Sequence, residues 1–96
     1  MKFPLTQTPY GVVLGEVIEG DLFLHFCYKK QKFSKKDYMT MLDLWSVLLS
    51  GIKDTGITEV FSLIAKGDKK VNKFQPMFGL APYKETEQAV VYRMEL

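Results

Sequence analysis

The sequence predicts an α+β fold: a mixed sheet of four to six strands with helices packed on it, in the order β-β-α-β-α-β. Three observations carry this expectation. Short stretches rich in β-branched and aromatic residues recur between turn signals. One long stretch carries a continuous apolar stripe at helical spacing. That stretch joins two apolar strands, and a connection of this length suits a crossover between parallel neighbours.

Tyr10 to Glu19 is the first clear strand, with room for an extra strand nearer the N-terminus. Gly20-Asp21 then supplies a two-residue hairpin signal, because glycine accepts the positive φ of primed turns. From Asp21 to Lys29, Leu22, Leu24, Phe26 and Tyr28 alternate with Phe23, His25 and Cys27. Both sets are apolar enough to place this strand inside the sheet with cover on both faces.

Ser34 caps the helix that follows, and Asp37 three residues on completes an approximate capping box. Tyr38, Met41, Leu42, Trp45, Leu48, Leu49 and Ile52 form one stripe, read as core packing against the sheet. Asp54-Thr55-Gly56 ends the helix. Ile57 to Ala65 reads as a mostly buried strand, parallel to the previous one through a right-handed crossover. Asp68 caps a second helix reaching about Phe78, with Val71, Phe74 and Phe78 on one face; Pro76 near its end calls for an early stop or a kink, and Gly79 closes it. Glu87 to Leu96 finishes the chain as an antiparallel strand.

Ninety-six residues fit one domain spanning positions 1–96, and 47% hydrophobic with 25% charged residues is ordinary globular composition. Cys27 is the only cysteine, which excludes an internal disulfide and points to a reducing, cytoplasmic setting. The same residue reads as a small buried hydrophobe. His25 is the only histidine, so the sequence offers no metal-ligand set. Met1 to Tyr10 lacks the apolar core of a signal peptide, and no apolar run approaches the roughly 18 residues needed to cross a membrane.

Net charge is only +2, but its distribution is uneven. Lys29, Lys30, Lys32, Lys35 and Lys36 form one cluster, and Lys66, Lys69, Lys70 and Lys73 a second. Both follow strands predicted to be parallel neighbours, so both gather at one end of the sheet, where sheets of this kind bind ligands. Solvated loops are the plain alternative; phosphate attraction is the functional one.

From Gly11 to Leu96 the element order, with the long helix after a buried strand and the closing phrase Phe74-Gln75-Pro76-Met77-Phe78-Gly79-Leu80, resembles the C-terminal half of the GNAT acetyltransferase fold. The closing phrase is also similar to the ends of small GNAT-like proteins of tailed phages, so the resemblance carries a phage origin as an expectation. It implies acetyl-CoA or CoA as cofactor, held at a loop of the pattern Gln/Arg-x-x-Gly-x-Gly/Ala. Here that loop is Gln31-Lys32-Phe33-Ser34-Lys35-Lys36. Matched on Gln31, the two small positions hold Ser34 and Lys36; matched on the helix stripe, they hold Lys36 and Tyr38. Neither register supplies glycine. Counting back from Gly79, the resemblance also puts Gln75 where the family often has an acidic tyrosine and Asp68 where it has asparagine. Gln75 cannot act as a general acid at neutral pH.

The candidate site residues are therefore His25, as a general base on a central strand, and Lys29, Lys30, Gln31, Lys32, Ser34, Lys35 and Lys36, as phosphate or anion contacts. Three functions remain open. The first is a non-catalytic GNAT-like domain that binds another macromolecule, a protein partner first. The second is a divergent acyl-CoA-dependent N-acetyltransferase. The third is a small basic nucleic-acid-binding module, with Tyr28, Phe33, Tyr38 and Phe74 interleaved among lysines. No feature selects an oligomeric state.

Overall fold

The computed structural model of the chain describes residues 1–29 and 32–96. Its elements are β1 (Lys2–Thr8), β2 (Gly11–Ile18), β3 (Asp21–Tyr28), α1 (Lys35–Asp54), β4 (Glu59–Ala65), α2 (Lys69–Met77), β5 (Ala81–Glu85) and β6 (Ala89–Glu95). All strands join one six-stranded sheet in the order β1-β2-β3-β4-β6-β5. The class is α+β, as the sequence predicts.

β1, β2 and β3 form an antiparallel meander. The hairpin between β2 and β3 turns one residue earlier than expected, at Glu19 (φ 51°) and Gly20 (φ 86°). Two successive positive φ values give the primed turn whose twist matches the strands, and Glu19 bears the small strain of a left-handed non-glycine. β3 and β4 are parallel, joined through α1, and their pairing is confined to Phe23 with Phe61 and Leu24 with Ser62. β4 pairs antiparallel with β6 along its whole length, from Glu59 with Glu95 to Ala65 with Ala89. β5 lies outside β6 with a register shift between Pro82 and Lys84.

α1 begins and ends where its sequence signals fall. Ser34 Oγ accepts from the Asp37 amide at 3.1 Å, and Asp37 Oδ2 accepts from the Ser34 amide at 3.0 Å. Such a cap contributes about 1 kcal/mol. Thr55 closes the far end, its amide donating to Ile52. Met41, Trp45 and Ile52 of the stripe are buried, and Tyr38, Leu42, Leu48 and Leu49 pack against the core from its margin. Asp68 caps α2 by accepting from the Val71 amide. α2 does not stop before Pro76. It runs through it to Met77, and the amide of Phe78 still reaches the Phe74 carbonyl, so the final turn stays closed.

The expectation of cover on both faces of β3 is corrected. Both helices lie on one side. Trp45 of α1 meets Phe26 of β3 (5.6 Å between ring centres) and Phe78 after α2 (5.7 Å), while Ser62 of β4 bonds Gln75 of α2. That face holds the buried residues Leu22, Leu24, Val60, Ile64 and Tyr92. The other face is built by cross-strand pairs. Phe23 stacks on Phe61 at 5.3 Å, Phe61 meets Tyr83 edge-on at 5.9 Å, and Arg93 Nε donates to Glu59 at 2.6 Å. Leu63, on this face, is 44% exposed. Cys27 belongs here too and is exposed, not buried as the sequence suggested. Its odd position in β3 turns it away from the helices.

Among the described residues, no helix is long and apolar enough to cross a membrane.

Candidate functional site

Because β3 and β4 are parallel, the segments that leave their C-terminal ends emerge side by side. The first carries Lys29, Lys32, Lys35 and Lys36, and the second Lys66, Lys69, Lys70 and Lys73; every one of these is exposed. Lys30 and Gln31 lie outside the described residues. Three rings tie the two segments together. Tyr28 at the end of β3, Phe33 before α1 and Phe74 in α2 meet one another edge-on at 5.8, 5.9 and 6.0 Å. Edge-to-face contacts of this kind add about 0.5–1.5 kcal/mol each beyond their buried area. Lys70 Nζ stands 4.7 Å from the centre of the Phe33 ring, a cation–π contact bridging the two lysine groups.

Both aspartates at this end are committed to caps, Asp37 at α1 and Asp68 at α2. Lys66 is paired with Glu85 at 2.9 Å. The Ser34 amide thus faces the Asp37 carboxylate, and the Asp37 amide the Ser34 hydroxyl, both from their own chain. Ser34, a candidate anion contact, serves as that cap.

Tyr28 carries an unusual hydroxyl. It is shut off from solvent and has no hydrogen-bond partner among the described residues. Burial first, and then the Asp68 carboxylate, push its pKa up to about 12. An acid held neutral in the folded state keeps its full contribution below its free pKa of about 10 and loses it as pH climbs through the folded value. Stability measured by urea denaturation is therefore expected to decline between about pH 10 and 12, and Tyr28→Phe to flatten that decline. The variant should be as stable as the parent at neutral pH, or slightly more so, since the deleted hydroxyl bonds nothing. Identical alkaline slopes in the two proteins would rule this out.

His25 is not part of the lysine end. Its ring lies on the face away from the helices, where Nε2 and Glu16 Oε1 are 2.9 Å apart, and its side chain is 19% exposed. The N-terminal ammonium sits 3.9 Å from the other Glu16 oxygen. A histidine held by a carboxylate is a chemically sound base. Yet Glu16 is its one side-chain hydrogen-bond partner among the described residues, and no hydrogen bond joins it to Cys27 two residues on. Glu16 escaped sequence reading because it becomes a neighbour only through strand register. In the β2–β3 ladder Leu14 opposes His25 and Glu16 opposes Phe23, so Glu16 is the diagonal neighbour of His25 on one face.

Gln75, matched by the resemblance to the family's acid, is fully buried. Its Oε1 accepts from Ser62 Oγ at 2.6 Å, and its Nε2 donates to the Val71 carbonyl at 3.2 Å. Ser62 is itself fully buried, so the pair satisfies two polar groups that would otherwise cost about 1–3 kcal/mol each. Asp68, at the asparagine position, caps α2.

A separate apolar cleft of about 60 Å³ opens between α1 and the meander, lined by Thr6, Val13, Phe26, Met41, Trp45 and Leu48 among others. No group of three or more His, Cys, Asp or Glu side chains that could hold a metal ion occurs among the described residues. No family model, curated protein or solved structure matches the chain.

Proposed function

We propose that the chain is a non-catalytic GNAT-like domain that acts by binding another macromolecule. The observation that carries this reading is Gln75: the residue at the acid position faces inward, is wholly buried and commits its amide to Ser62 and Val71. No substrate atom reaches it. The loop positions that the family keeps small support the same reading. Ser34 is locked in a capping box with Asp37, whose carboxylate stands where a pyrophosphate would seek amides. Beside it, Tyr28, Phe33 and Phe74 fill the space between the end of β3 and α2.

One observation favours a second reading, a divergent acyl-CoA transferase. β3 and β4, the central strands, pair at only two positions, Phe23 with Phe61 and Leu24 with Ser62. Calorimetric titration with acetyl-CoA separates the two. The non-catalytic reading expects no saturable heat up to about 1 mM, a limit of about 4 kcal/mol of binding free energy. A saturable isotherm below that concentration, abolished by Lys32→Ala with Lys36→Ala, would replace it with the transferase reading.

A further inference from the structure

The charge of this molecule is segregated. Residues 29–37 hold five lysines and one aspartate, and residues 66–73 hold four lysines and one aspartate. The two stretches carry a formal +7 between them, so the chain's net +2 leaves −5 for everything else. The parallel pairing of β3 with β4 and the Lys70–Phe33 contact bring both stretches to one end of the sheet. Glu85, paired with Lys66, and the two capping aspartates offset part of this charge, but the remaining excess of lysines on one end of a small domain costs self-repulsion, and a polyanion relieves it.

The residue types narrow the polyanion. Every cation at this end is lysine, a flexible point charge suited to single phosphate oxygens, whereas base recognition relies mainly on the planar fork of arginine. The aromatic rings at this end pack on one another and are not presented as stacking platforms. A protein partner would instead seek a central apolar or aromatic anchor within the patch. We propose that the lysine end binds the sugar-phosphate backbone of nucleic acid without reading its bases. This rests on the non-catalytic reading above, because in an acyl-CoA enzyme the same lysines would hold cofactor phosphates.

The test is fluorescence anisotropy of the full chain with a labelled random-sequence DNA duplex of about 20 base pairs, titrated at salt concentrations from about 50 to 200 mM. Affinity is expected to fall steeply with salt and to be unchanged when the base sequence is replaced. Lys32→Ala, Lys36→Ala, Lys69→Ala and Lys73→Ala combined should weaken binding at least about tenfold and flatten the logarithmic salt slope by up to about 3.6, near 0.9 for each phosphate no longer neutralised. Circular dichroism confirms that this variant is folded. Lys2→Ala and Lys53→Ala combined, away from this end, should bind like the parent. No binding at the lowest salt, or equal binding by the two variants, overturns the inference but leaves the non-catalytic reading in place. Equal affinity for polyglutamate also overturns it, in favour of an acidic protein. Loss of duplex binding on adding about 1 mM acetyl-CoA, at a concentration chosen to test weak cofactor binding, overturns both.

Discussion

Trp45→Ala is expected to cost about 3–5 kcal/mol, the range for emptying a buried aromatic site. The indole is only 8% exposed and touches Phe26 of β3 and Phe78 after α2. Its Nε1–H also donates to the Phe78 carbonyl at 2.7 Å, so one side chain fastens α1 to the sheet and to the end of α2. Small domains hold about 5–15 kcal/mol in all, so the substitution removes roughly a fifth of the margin or more. Urea denaturation followed by circular dichroism reads the change. Trp45→Phe separates the two contributions: it keeps most of the volume, loses the hydrogen bond and should cost about 1–2 kcal/mol. If the two variants cost the same, the packing account of Trp45 is wrong.

Gly11→Ala is expected to cost about 3 kcal/mol or more, beyond the usual overpacking penalty. A Cβ at Gly11 would lie 2.3 Å from the Cys27 carbonyl oxygen and 3.0 Å from the Tyr28 Cα. These are backbone atoms of the paired strand, with Gly11 opposite Tyr28 in register, so no rotamer change relieves the clash. Relief requires opening the end of the β2–β3 ladder. The matching control is Gly51→Ala, where an added Cβ in α1 meets nothing within 4 Å. There the substitution should stabilise by up to about 1 kcal/mol through helix propensity. Thermal denaturation of the two variants must move in opposite directions for the steric account to stand.

These effects show what a sequence can disclose. α1 was legible because its seven stripe residues repeat at the helical period and a capping box marks its start; both are local signals. The crossover and the gathering of lysines followed from it. β5 was invisible for the converse reason. Ala81–Glu85 is short, exposed throughout and interrupted by Pro82, and it is a strand only because β6 offers a ladder. The misjudged cover of β3 has a physical cause as well. Phe23 and Phe61 satisfy each other by stacking across strands, so an apolar residue there does not require a helix above it. At the candidate site, the position of Gln75 could be counted along the chain, but its inward direction depends on how α2 rolls against Ser62. Glu16 met His25 only once register was fixed.

The two-position junction of β3 and β4 has a mechanical consequence. The sheet is two three-stranded plates, β1-β2-β3 and β4-β6-β5, each laced along its length and joined by a short seam. This boundary has the fewest ladder pairs of any in the sheet, so local opening is expected to start there, read as faster amide exchange along it than within either plate. α1, which leaves one plate and returns to the other, spans this boundary, and Trp45 packs it on Phe26 of the first plate and on Phe78 after α2.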